Sequence, residues 1–131
     1  MYVAFTGARY WTDPEPIIRE LEKLPKDAVI LHGGQGGWRN GILTGADSIV
    51  DYYAKEMGFE VRVFPADWSK YHKGAGPKRN GTMVQELNKA RKEGHETQLI
   101  AIHDNLDASK GTANMVRQTR LACHRIVLCE G

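Results

Sequence analysis

The absences in this chain narrow its class before any motif is read. Cysteine is scarce: 131 residues hold two, Cys123 and Cys129. Neither belongs to a C-x-x-C pair and no second pair completes a zinc site, so a disulfide framework and a cysteine-held metal are both excluded as organising devices. Both lie in apolar surroundings, where buried free thiols are expected. Long apolar runs are missing too. None approaches the roughly 18 residues that a membrane span needs. The start, "MYVAFTGARYW", has no charged segment ahead of an apolar one, so no secretory leader is expected. The expected location is the cytoplasm, with no membrane partner. Charge of one sign is also lacking: 18 basic residues against 16 acidic leave +2. That is too little to hold duplex nucleic acid by bulk electrostatics. Any positive site must come from local clustering. The five histidines (32, 72, 95, 103 and 124) show no ligand spacing, and neither G-x-S-x-G nor H-E-x-x-H occurs. No metal and no resident cofactor are expected.

What is present is an alternation. Apolar content of 41% and charged content of 26% suit a soluble globular protein, and the length suits one domain over 1–131. Short apolar runs at 2–5, 28–32, 60–64, 98–103 and 125–129 predict buried strands. Between them, residues 14–24, 46–57, 77–93 and 112–123 repeat apolar side chains at helical spacing. Asp13 is placed as N-cap of the first helix and Pro14 in its first turn, and Gly58 and Gly94 act as stops for the second and third. Strict β-α alternation predicts an α/β fold. The economical form is a doubly wound parallel sheet of five strands with helices on both faces. The loops Gly33–Gly45 and Ala66–Gly76 are long for a compact domain, which marks them as functional candidates.

In such a sheet ligands bind beyond the carboxyl ends of the strands, so the strand-to-helix loops carry the candidates. "TGARYWTD" offers Gly7 for close backbone approach and Arg9 for a phosphate. "GGQGGWRNGILTGAD" offers Gly33, Gly34 and further glycines for anion-binding N–H concavities, with Trp38 and Arg39 able to stack or pair with a base. It is no Walker A loop, since G-K-[ST] is absent. Thr44 or Asp47 is expected to cap the next helix. "PADWSKYHKGAGPKRN" is basic and aromatic, with Asp67, Trp68, Lys78, Arg79 and Asn80 as candidates. With Pro77 at the first helical position, Lys78 and Arg79 fall in the first turn. Cations there oppose the helix dipole unless an anion is bound. "DNLDASKGTANM" opens the last helix at Gly111 and Thr112, a second place for an anion; Asp104 and Asp107 could take ribose hydroxyls, act as a base, or cap and turn. His32 and His103 end strands and point the search toward the same edge.

"TGAR", "HGG…GAD", "FPADW…KGAGPKRNGTMV" and "KGTANMVRQTR" together resemble the YspA-like branch of the SLOG superfamily over nearly the whole chain. The resemblance implies a Rossmann-like fold and the binding of nucleotides or nucleotide-derived ligands. It also implies kinship with the LONELY GUY phosphoribohydrolases, which split nucleoside 5′-monophosphates into base and ribose 5-phosphate, and with DNA-processing protein A. By that likeness Gly111 and Thr112 match the G-T of a phosphate loop, and Arg79 matches the hydrolases' arginine. Their glutamate falls at Met115, which has no acid–base chemistry. "Asp-Ala-Ser-Lys" replaces the Pro-Gly-Gly before the phosphate loop, and the glycine loop at 33–45 is longer than usual.

The expectation is therefore a module that binds a nucleotide or nucleotide-derived small molecule, as sensor or sequestering protein. The phosphate would sit on Gly111–Thr112 with Arg79 and Arg9, and the base near Trp38 or Trp68. A nucleotide-cleaving hydrolase using Asp104 or Asp107 ranks second. A binder of single-stranded nucleic acid, stacking bases on the 66–80 loop, ranks third because the net charge is small. By analogy of architecture a homo-oligomer through apolar helix faces is open.

Overall fold

The structure, a computed structural model, describes residues 1–103, 110–119 and 125–129. Four strands form a parallel sheet flanked by helices: Tyr2–Gly7 (β1), Val29–His32 (β2), Glu60–Val63 (β5) and Thr97–Ile102 (β6). Their order is β5-β2-β1-β6. Arg125–Cys129 (β7) runs parallel to β6, with Gln98 opposite Arg125 and Ile102 opposite Cys129. From β1 the chain builds outward through β2 to β5, then returns to the other side of β1. The strand order therefore reverses between β1 and β6, where such sheets leave a crevice at their carboxyl ends.

Alternate residues of each strand serve opposite faces. Val3, Phe5, Ile30, Ile100 and Ile102 pack with Ile17 and Leu21 of helix Glu15–Glu22 (α1) and with Ile49 and Val50 of helix Ala46–Glu56 (α2). On the other face, Ala4, Leu31, Leu99 and Ala101 meet Met83 and Leu87 of helix Ala75–Lys92 (α4), and Met115 and Val116 of helix Lys110–Thr119 (α5). Burial on both sides explains the unbroken apolar runs of β1, β2 and β6; β5, at the sheet edge, is mostly exposed and is not the buried strand that residues 60–64 predict.

Several local expectations are corrected. Residue 14, not 13, is the N-cap of α1; the Asp13 carboxylate instead accepts from the Glu15 N–H at 3.0 Å. The loop 33–45 is not without structure. Gly37–Arg39 (β3) and Ile42–Thr44 (β4) form an antiparallel hairpin. Its turn, Asn40-Gly41, has φ of 50° and 77°, the left-handed conformation that Asn-Gly adopts readily in two-residue hairpins. The loop 66–76 holds a short helix, Trp68–Tyr71 (α3), and one 3₁₀ turn, His72–Gly74. Asp67 caps α3, accepting from the Lys70 N–H at 3.1 Å and the Ser69 hydroxyl at 2.7 Å. Cys123 and His124 lie outside the described residues.

Candidate functional site

The first strand's exit loop is built into the frame by its main chain. The Ala8 N–H donates to the Ile102 carbonyl at 3.0 Å, the Ala8 carbonyl accepts from the Ala46 N–H at 3.0 Å, and the Trp11 carbonyl accepts from the Gly45 N–H at 2.7 Å. Gly7 passes between Ala46 and the Ile102 carbonyl, where a Cβ would come within 2.5 Å of both. These contacts seat the loop between β6 and the start of α2, at the sheet's reversal point. A cleft of about 330 Å³ opens there, inside the size range of small-molecule sites. Its lining includes Gly7 and Arg9 from the first loop, Arg79 and Asn80 from α4, and Gly111 and Thr112 from α5. Three segments far apart in sequence thus meet around one space.

Arg79 is held by the protein's own carbonyls. Its Nη1 donates to the Gly33 carbonyl at 2.7 Å and, more weakly, to that of Phe64 at 3.5 Å, while Nε donates to Asn80 Oδ1 at 2.9 Å. A Cβ on Gly33 would overlap the guanidinium, so this seat requires glycine. Asn80 is buried and passes the tether on: Nδ2 donates to Asn114 Oδ1 at 3.2 Å and to the Gly111 carbonyl at 3.4 Å. Gln118 completes the link, its Nε2 donating to Asn114 Oδ1 at 2.6 Å and to the Pro77 carbonyl at 3.3 Å. The guanidinium is therefore fixed before any ligand arrives, with Nη2 in no hydrogen bond among the described residues. Burial presses its pKa down; Asp47 counters this and Arg9 adds to it.

The dipole argument for Lys78 and Arg79 does not survive. Helix α4 starts at Ala75, two residues before Pro77, which leaves both cations beyond the free amides of the helix start. Lys78 is exposed and sits over the Tyr71 ring at 4.5 Å. Arg9, which lines the cleft, lies over the Trp68 ring at 5.4 Å; Trp68 itself is not part of the lining. Asp67 serves α3 as its cap. Met115 is wholly buried in the core, so the position aligned with the hydrolases' glutamate does not face the cleft at all.

The glycine-loop residues divide. Gly34 and Trp38 line a different cleft, of about 530 Å³, between the hairpin and α2. There Trp38 is 66% exposed and meets Tyr52 edge-on at 6.3 Å. Arg39 is exposed in β3 and lines neither cleft. Beneath that second cleft His32 is buried, accepting the Gly34 N–H at Nδ1 (2.9 Å) and contacting Asp51 Oδ1 through Nε2 (2.9 Å). Asp51 also accepts from Lys55 at 2.9 Å. Burial pushes the Asp51 pKa up, but the hydrogen bonds from Lys55 and His32 outweigh it and leave it lowered. Asp104 and Asp107 lie outside the described residues.

The sequence reading gave two cleft residues, Tyr10 and Asp47, no place in the site. Tyr10 is exposed and meets the buried His103 ring edge-on at 5.8 Å. Asp47, expected to cap α2, does not. It is 7% exposed and lines the cleft, with Oδ2 accepting from the Gln35 N–H at 3.3 Å and Oδ1 without a hydrogen-bond partner. Burial raises its pKa, against the pull of His32, the Gln35 N–H, Arg79 and the Gly33 N–H. Nor does Thr44 cap α2; its hydroxyl donates to the Ile42 carbonyl at 3.1 Å. The available signal for Asp47 was "GAD" itself: with glycine as the N-cap, the aspartate is released from capping.

A family model for the YspA, cpYpsA-related SLOG family matches residues 1–71, more than half of the chain. The chain belongs to this family. The match runs from β1 through α3 and takes in the first loop, the hairpin, the start of α2 and "PADW". Arg79, Asn80, Gly111 and Thr112 lie past the matched residues, so their place in this SLOG protein's cleft rests on geometry. No curated protein and no solved structure matches the chain. Membership carries the Rossmann-like fold and suggests a nucleotide-related ligand-binding module.

Proposed function

We propose that this SLOG protein binds a nucleotide or nucleotide-derived small molecule at the β1–β6 reversal, as a sensor or sequestering module of one domain. In this reading β7 is the fifth strand of a doubly wound sheet. The observation that carries it is the pre-set Arg79, tethered by main-chain carbonyls beside Arg9 in a cleft that also takes in the start of α5. A guanidinium with Nε and Nη1 already bonded and Nη2 open is organised for an anion's oxygen. Gly111, Thr112 and Arg9 complete a phosphate site, and Trp68, beside Arg9, would take a base.

Cleavage of the bound nucleotide is the second reading. Asp47 favours it, as the one carboxyl lining this cleft among the described residues; Met115 leaves the glutamate mechanism without its carboxylate. Stacking of single strands on the 66–80 segment ranks below both. The Tyr71 ring is already covered by Lys70 and Lys78, which a base would have to displace.

Calorimetric titration with AMP, GMP, NAD and ADP-ribose, followed by chromatography of each ligand, tests the reading. Binding of intact ligand is expected, weakened by about 1.5–3 kcal/mol in Arg79→Ala, the scale of a charge-assisted hydrogen bond. Unchanged affinity in that variant would sink the assignment, and released base or ribose phosphate would make the protein a hydrolase.

A further inference from the structure

Asp47 is an anomaly that the phosphate site does not explain. A buried carboxyl near an arginine would normally be its salt-bridge partner. Here the described residues hold no ion pair from Asp47 to Arg9 or Arg79, and Arg79 turns instead to the carbonyls of Gly33 and Phe64. Oδ2 accepts from the Gln35 N–H; Oδ1 meets the geometry of no hydrogen bond, although the Gly33 N–H also pulls on the carboxyl. It is the one buried side-chain polar atom without a partner among the described residues. Nor does the start of α2 rest on the side chain: Gly45 occupies its N-cap, and the Ala46 N–H is taken up by the Ala8 carbonyl at 3.0 Å. An unpaired buried acceptor lowers stability, so its presence in a cleft wall points to a group that arrives with the ligand.

That group must donate a hydrogen bond and be uncharged or cationic. A phosphate oxygen cannot serve, since it would face a carboxylate. Arg79 and the start of α5 line the same cleft and, in the reading above, take the anion. A nucleotide carries both kinds of group a few ångströms apart: the phosphate, and the hydroxyls of its ribose. The torsion that turns a carboxylate about its last bond is soft, so either oxygen can be offered to the opening.

We propose that Asp47 is the ribose-reading residue of the cleft, accepting a hydrogen bond from a sugar hydroxyl and so selecting ribonucleotides over deoxyribonucleotides. This rests on the nucleotide reading above and narrows its ligand class. Loss of a hydroxyl partner leaves a buried carboxylate oxygen unmet in the complex, which discriminates more strongly than loss of an apolar contact.

The experiment is titration of the whole chain with AMP, 2′-deoxy-AMP and 3′-deoxy-AMP, and with the corresponding guanine series, for the wild type, Asp47→Asn and Arg79→Ala. The wild type is expected to bind the ribonucleotide about 10-fold or more tightly than one of its deoxy analogues. Asp47→Asn is expected to lower ribonucleotide affinity to the deoxy level while leaving the deoxy analogue's affinity within about 2-fold, and to melt no lower than the wild type. A residue of purely structural importance would instead lower the melting temperature and weaken all ligands together; that outcome overturns the proposal. Equal wild-type affinity for ribo and both deoxy forms, with Arg79→Ala still weakening them, overturns the role of Asp47 and leaves the nucleotide reading in place. No binding of any nucleotide overturns both.

Discussion

At the scale of the residue, the cleft depends on an arginine that is positioned by a glycine. Gly33 is not in the left-handed region, so its backbone accepts alanine; the objection to a side chain there is the Arg79 guanidinium. Gly33→Ala is therefore expected to displace Arg79 and weaken nucleotide binding as Arg79→Ala does, with the fold retained. The double variant should bind no more weakly than Arg79→Ala alone, because both changes remove one interaction. Titration of the three variants checks this, and additive losses would refute it. Arg79 was legible in the sequence as a cation in a basic loop. The Gly33 carbonyl that holds it was not, because a contact across 46 residues leaves no local pattern. Asp47 was visible but assigned to a cap, the commoner use of an aspartate at a helix start. Its burial also has a pH signature. With a raised folded pKa it contributes most to stability below the ordinary carboxylate range, and that contribution is lost as pH rises through the folded value. The melting temperature of Asp47→Asn relative to the wild type should accordingly rise from acid to neutral pH. A flat difference would show the carboxyl to be already satisfied.

At the scale of the element, α2 ties the glycine loop to the sheet. Asp47 stands in its first turn, and one turn later Asp51 braces His32 at the end of β2. Asp51→Ala strips the buried Nε2 of its partner and is expected to cost about 1–3 kcal/mol at neutral pH. The Asp51 pKa is lowered by folding, so this contribution is present above the ordinary carboxylate range and fades as pH falls through the folded value. Urea unfolding of both proteins at neutral pH and near pH 3 should show a gap that narrows in acid. A constant gap would mean that packing, not the carboxylate, is lost. The helices and inner strands were legible because their apolar spacing is set by burial on two faces. The hairpin was written in Asn40-Gly41, but six glycines in the loop masked it, and the three-residue strands are too short for alternation to register. Helix α4 was placed two residues late because proline at a first turn normally marks the start; here Ala75 and Gly76 precede it.

At the scale of the whole molecule, two cores separated by one sheet leave little freedom for new chemistry in the interior. Met115 illustrates it. Glutamate there would restore the lettering of the hydrolase loop but place a carboxylate among Ala4, Met83, Leu87 and Leu99. Met115→Glu is expected to lose several kcal/mol of stability and to release no base from AMP; denaturation and chromatography test both halves. The overall architecture was readable because strict alternation of strand and helix admits few topologies. The cleft was readable only as a set of loops, since which loops converge depends on strand order, and strand order appears nowhere in local spacing.

The exit loop of β1 is joined to β6 and α2 through main-chain atoms of Ala8, Trp11, Gly45 and Ala46. Such bonds are blind to side-chain identity and strict about chain length. Arg9 and Tyr10, exposed between the anchors, can be exchanged by single substitutions while the surrounding scaffold stays as it is, whereas one inserted residue would break the stitching. Evolution of a new ligand repertoire from this protein has its easiest path there: point changes at two adjacent codons, on a frame of constant length.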